Sequence, residues 1–298
     1  MSAFDWLLAP PLVGSVAAAV LYARGSRRHL RIVSAARVRK QRRRAWVFYA
    51  ALVTIVAALD SPIDELAAKL FWMHMVQHVL LMMVAAPLLV LAAPWTPIWR
   101  GMSLSLRRGL ATAYVRSPTW RVLREGGRWI AMPGPAWVLF NVDLCAWHVP
   151  ALYGLTLRNQ TVHDLEHFSF LVLGIVFWSQ VIDSPPLRPR LDLPRRVAYV
   201  TLAATVAWLL SVVLAFAGSP LYATYAAQPS RPGGLSALAD QQLAAGIMWG
   251  PGSIPYALFV FVALYRWLTP RGGEEGPAAQ VNGRERRLAG TAGEASLQ

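Results

Sequence analysis

Seven long apolar stretches dominate this chain: residues roughly 6–23, 45–59, 70–94, 130–149, 163–183, 197–218 and 242–268. Most approach the ~20 residues a helix needs to cross the hydrocarbon layer of a bilayer. The second is short, and polar residues interrupt the fourth and the seventh. None alternates apolar with polar residues as the strands of a membrane barrel must. The pattern therefore predicts an all-α, polytopic membrane protein with seven transmembrane helices. With 56% hydrophobic and 15% charged residues, against about 45–50% and 25% in soluble domains, an ordinary soluble enzyme is excluded. Cys145 is the single cysteine, which leaves no internal disulfide and no CxxC motif.

The net charge of +14 invites a nucleic-acid reading until its placement is examined. Residues 24–44 hold ten Lys and Arg and no acid, 99–129 hold seven, and 184–196 hold four. The alternate connections hold one each: Lys69, Arg158 and Arg231. Twenty-one against three is a strong positive-inside bias. It places the N-terminus outside and the C-terminus in the cytoplasm, and it makes a lipid bilayer, not nucleic acid, the partner of that charge. Asp5 is the only charge before the first stretch and the basic cluster follows it, so that stretch reads as a spanning helix and not a signal peptide. In 99–129, Leu104, Leu106, Leu110, Tyr114 and Trp120 are spaced among arginines, the pattern of an amphipathic helix on the inner leaflet. Residues 1–269 are expected to form one transmembrane domain, and the Gly-, Ala-, Glu- and Arg-rich segment 270–298 a disordered cytoplasmic tail.

This topology gives the histidines their meaning. His29 falls in the first basic loop as a solvated charge or lipid contact. The other five fall at the outer ends of helices: His74 and His78 open the third, His148 closes the fourth, and His163 and His167 open the fifth. Ionisable groups in spanning segments are costly and face the bundle interior. His74 and His78 are four apart, as are His163 and His167, so each pair leaves one helix face about a turn apart, within reach of a shared metal. Glu166 shares the face of the second pair. Asn141, Cys145 and His148 form one polar stripe, while Asp143 points elsewhere and needs its own partner. Asp240 opens the seventh helix, which carries Gly246 and Gly250 as a close-packing GxxxG and Pro251 and Pro255 as breaking residues. Imidazole suits copper or zinc, and nearby Met75 and Cys145 tilt the choice toward copper. The competing view is a polar network that only ties helices together.

The sequence His74-Met75-Val76-Gln77-His78, followed by Leu80, Leu81 and Pro87, resembles the signature helix of the CtaG family, bacterial membrane proteins needed to assemble caa-type cytochrome c oxidase. Trp147-His148-Val149-Pro150 with Leu152 and Tyr153 resembles its second motif, His163-Asp164-Leu165-Glu166-His167 its third, and Asp240-Gln241-Gln242 with Ala245-Gly246 and Met248-Trp249 its last. The likeness spans about residues 45–268, with the four motifs in the family's order. Ala86 and Ala92 depart from it, where the family often has Pro and Gly. The resemblance implies a plasma-membrane factor that supplies copper to a haem–copper oxidase on the outer side, with oxidase subunits as partners. The oxidase connection comes from the resemblance alone.

Together these readings give a non-enzymatic assembly factor with His74, His78, His148, His163 and His167 as metal ligands. Gln77, Glu166 and Asp240 would orient imidazoles, with Asn141 in the same polar stripe, and Met75 and Cys145 would offer softer transfer contacts. Copper is the expected metal and zinc the alternative. Two rival functions share these residues: a membrane zinc hydrolase with Glu166 or Asp240 as base, suggested by the HxxEH pattern, and a haem-binding protein with axial histidines.

Overall fold

A computed structural model describes residues 10–30, 35–228 and 231–269, and no strand forms among them. The opening residues before Pro10 and the tail expected to be disordered lie outside the described residues, as does the side chain of His29. The helices in chain order are α1 (Pro10–Leu30), α2 (Ala35–Leu59), α3 (Pro62–Ala67), α4 (Phe71–Ala92), α5 (Trp95–Gly101), α6 (Leu104–Arg116), α7 (Pro118–Ile130), α8 (Pro133–Trp147), α9 (Pro150–Thr156), α10 (Gln160–Ser179), α11 (Leu193–Phe216), α12 (Ala223–Ala226) and α13 (Ala237–Leu268). The chain divides into two compact units, Met1–Ala257 and Leu258–Gln298; the site lies wholly in the first, and the second is described as the last turns of α13.

Among the described residues three helices, α4, α11 and α13, are long and apolar enough to cross a membrane, and a fourth span results if α8 and α9, bent by 78°, are counted as one. The sequence led us to expect seven. Charge and polarity separate the others from this group. The last turns of α1 carry Arg24, Arg27 and Arg28, the first half of α2 carries Arg37 to Arg44, and the first turns of α10 carry its histidines and acids. Residues 24–30 and 35–44, expected in a loop, are helical extensions of α1 and α2. The amphipathic segment is two helices, α6 and α7, and neither buries a side chain. Pro118 divides them: it holds Ser117 extended, with ψ at 132°, as the residue before a proline prefers.

Two packing features fix α4 and its neighbours. The first is a crossing of α1 over α5. A Cβ on Gly25 would strike the Pro97 carbonyl, and one on Gly101 would strike the Leu21 carbonyl, so only glycine allows the backbones to meet. The second lies within α4, where Leu80–Ala85 widens into a π-helical turn of the kind found beside functional sites. Pro87 has no N–H to return to this turn, and the Trp178 indole donates to the Met82 carbonyl at 3.0 Å. Gly174 lets α10 close on the same place, where a Cβ would lie 3.0 Å from that of Ala86.

Tyr22, Phe48, Leu52, Leu81 and Leu89 join α1, α2 and α4 in one core cluster. Phe71, Met75, Tyr153, Tyr222 and Tyr225 form a second beneath the histidines. The expectation for α13 is corrected in two ways. The helix continues through Pro251 and Pro255 without a break, and nothing lies within 4 Å of a Cβ at Gly246 or Gly250, so that GxxxG makes no close helix contact among the described residues.

Gly25→Val will therefore lower thermal stability in detergent by the ~1–3 kcal/mol typical of overpacking, or more. Gly246→Val, in open space, will remain within the ~0.5 kcal/mol of an ordinary surface change. Paired melting curves read both.

Candidate metal centre

The site is assembled on the first turns of α4 and α10, with α8 and the segment after α11 closing around them. The carboxylate of Asp240, from α13, accepts the Phe71 and Trp72 amides, both at 3.0 Å. Those are N–H groups that the start of a helix leaves without partners, and the negative charge suits the positive end of the helix dipole. Asp240 was expected to orient an imidazole; it instead caps the helix that bears two of them. Arg231 lies 3.9 Å from Asp240 and also donates to the Tyr225 carbonyl.

Tyr225 decides the state of His74. Its hydroxyl donates its one proton to the Ala67 carbonyl at 2.6 Å, so towards His74 Nδ1, 3.2 Å away, it can only accept. Nδ1 therefore carries hydrogen. In the neutral ring Nε2 is then a bare lone pair, and it lies buried 3.4 Å from Glu166 Oε2 without a hydrogen-bond partner. Both Glu166 oxygens also lack partners, as does His167 Nε2. His74, His163, Glu166 and His167 each offer a donor atom to one group in which all such atoms lie within 4.8 Å of one another. Glu166, expected to act behind the ligands, has a carboxylate in that group.

His78 and His148 stand beside this group and outside it. His78 Nε2 is 3.5 Å from Glu166 Oε1, and its ring centroid is 4.4 Å from that of His74. His148, at the bend between α8 and α9, is fixed by a 2.7 Å contact of Nδ1 with the Leu144 carbonyl. A carbonyl only accepts, so in the neutral ring Nε2 is again the lone pair, and it lies 3.4 Å from Met75 Sδ. The remaining expected members separate. Gln77 donates to the Ala58 carbonyl at 2.8 Å and to Asp64 at 2.9 Å, tying α4 to α2 and α3 and not to an imidazole. Asn141 donates to its own helix at Trp137. Cys145 is exposed, so the stripe with Asn141 and His148 is broken. Asp143 has the partners it needed, Trp147 Nε1 and Ser169 Oγ, both at 2.9 Å.

Tyr225, Tyr222 and Arg231 did not emerge from the sequence. Tyr222 donates to the His148 carbonyl at 3.0 Å and shares the aromatic cluster with Phe71 and Tyr153. Their only signal is two tyrosines three apart in a connection rich in small and polar residues, the kind of loop position that carries function.

The class these elements define is a helical membrane protein with a buried histidine–glutamate group suited to a metal ion. Residues 20–269 match the family described as cytochrome c oxidase caa3 assembly factor, and the chain belongs to that family. It is similar to uncharacterized proteins of Mycobacterium bovis and Mycobacterium tuberculosis, 26% identical over 219 residues, covering 72% of this chain and 32% of each relative. An uncharacterized protein of Mycobacterium leprae is 22% identical over 215 residues with the same coverage. The chain thus spans about a third of the length of these curated relatives. No solved structure matches it.

Asp240→Ala strips the α4 amides of both acceptors and will destabilise the protein by the ~1–2 kcal/mol of a lost helix cap. Gln242→Ala, an exposed change on the opposite face of the same helix, will leave the melting temperature nearly unchanged.

Proposed function

We propose that this is a seven-helix plasma-membrane protein, N-terminus outside and C-terminus cytoplasmic, that binds copper at its outer side and delivers it during assembly of a cytochrome c oxidase. The family supports the assembly role. The observation that carries the metal reading is the meeting of His74 Nε2, both Glu166 oxygens and His167 Nε2, all buried and none with a hydrogen-bond partner. A cation resolves that arrangement, and three imidazoles with one carboxylate suit Cu(II) or Zn(II). Beside it, the His148 Nε2 lone pair and the Met75 thioether, 3.4 Å apart, are softer donors that suit Cu(I). Adjacent donor sets of different softness fit an ion that is passed on. The long apolar faces of α11 and α13, with Leu202, Val213, Phe216 and Ile254 exposed, fit contact with lipid.

The test is metal content by mass spectrometry of detergent-purified protein loaded in turn with Cu(I), Cu(II) and Zn(II). The wild type is expected to hold near-stoichiometric copper, and His74→Ala/His78→Ala to lose it. A wild type that stays metal-free after every loading would overturn the reading. Tyr225→Phe removes the acceptor for His74 Nδ1 and will weaken binding by about 10-fold or more, the usual cost of losing a partner behind a ligand.

A zinc hydrolase is the second reading, favoured by the position of Glu166 beside three histidines. It requires Glu166→Gln to keep zinc while hydrolysis is lost. Delivery through Glu166 as a ligand requires that substitution to weaken the metal itself.

A further inference from the structure

The proposed centre is buried, so an ion needs a way in. A cleft of about 840 Å³ lies against it, between the start of α1, the end of α2, α3 and the outer turns of α10. Among the described residues four carboxylates line this cleft, Asp60, Asp64, Glu65 and Asp164, and no Lys or Arg does. His163 and His167 belong both to the lining and to the four-residue group of the centre. His167 is only 4% exposed, and its Nε2 has no partner. The acidic lining therefore ends on a buried, unpaired imidazole nitrogen.

His163 differs from the other members in its access. Its side chain is 15% exposed, while its ring centroid lies 4.2 Å from that of His167 and 5.3 Å from that of His74. Gln160 Nε2 sits 3.4 Å from His163 Nδ1 and donates to Asp164 at 2.8 Å, which links the ring to the acidic wall. Asp64 is held from behind by Gln77.

We propose that this cleft is the path by which a hydrated divalent cation reaches the centre from the outer side, drawn by the carboxylates and met first by His163. The inference rests on the metal reading above. A cleft lined by charge of one sign with apolar walls focuses its field and raises the local concentration of the opposite charge. Pro10, Ile55, Leu59, Leu165 and Phe168 supply such walls.

The experiment uses the full chain in detergent and Co(II), whose visible bands report tetrahedral nitrogen and oxygen ligation. Stopped-flow mixing compares the wild type with Asp60→Asn/Glu65→Gln/Asp164→Asn and, as a single exposed change, with Asp164→Lys. Asp64 is left intact because it holds Gln77. The triple variant is expected to load about 10-fold more slowly, at the low end of steering effects, with the saturated spectrum unchanged. The difference should shrink as salt rises from about 0.05 to about 0.5 M. Asp164→Lys should slow loading in the same direction. Equal rates in all three proteins with the same final spectrum would overturn the path and leave the centre standing. No Co(II) bands in the wild type would overturn the centre and the path together.

Discussion

The Asp240 carboxylate, on the two free amides that begin α4, is the contact on which the centre depends. It comes from α13, far away in sequence, and it sets where α4 starts. Everything α4 contributes follows from that register: His74 and His78 towards α10, Met75 towards His148, and Gln77 towards α2 and α3. Arg231 extends the same anchor by meeting both Asp240 and the Tyr225 carbonyl. Tyr225 in turn places the proton of His74 on Nδ1. A charge pair at the base of one helix thereby determines which nitrogen faces Glu166 less than one turn further on.

The pairing of buried polar groups distinguishes the histidine–glutamate group from the structural contacts around it. Buried polar groups that only hold helices together pair donor with acceptor, because an unpaired one costs about 1–3 kcal/mol. Around Asp143 this occurs at one oxygen, to which Trp147 and Ser169 both donate, while Oδ2 has no partner. Around Glu166 it occurs at neither. Both carboxylate oxygens and the Nε2 atoms of His74, His78 and His167 are buried without hydrogen-bond partners. The same bundle thus contains a half-paired carboxylate, Asp143, and one with neither oxygen paired, Glu166, and only the second lies where three imidazoles converge.

Much of this was legible in the sequence. The apolar stretches located α4, α8, α10, α11 and α13 to within a few residues, because each is long and its flanks are polar. The i, i+4 histidine spacing located the centre, because helical geometry alone puts such pairs on one face. What the sequence could not carry was helix continuity through charge: nothing local in residues 35–44 shows that a run of arginines continues α2 as a helix. It also could not assign roles among polar residues. Asp240 and Gln77 look like partners for imidazoles until the three-dimensional arrangement shows backbone groups with stronger claims on them. Cys145 follows Asn141 by four residues, yet the stripe it suggests is broken because α8 presents that residue outward.

The charge along α2 runs against what the helix itself prefers. Basic residues are best placed at the C-terminal end of a helix and acidic ones at the N-terminal end, each worth ~0.3–1 kcal/mol. In α2, Arg37, Arg39, Lys40, Arg42, Arg43 and Arg44 crowd the N-terminal half, while Asp60, Asp64 and Glu65 lie just beyond the C-terminus. A helix selected for its own stability would carry the reverse. The inversion matches two features at opposite ends of the helix: the basic cluster that α2 shares with the end of α1, and a cleft whose carboxylates adjoin His163 and His167. The electrostatic cost borne by α2 is therefore tied to the same separation of charge that leaves the approach to the histidine–glutamate group negative.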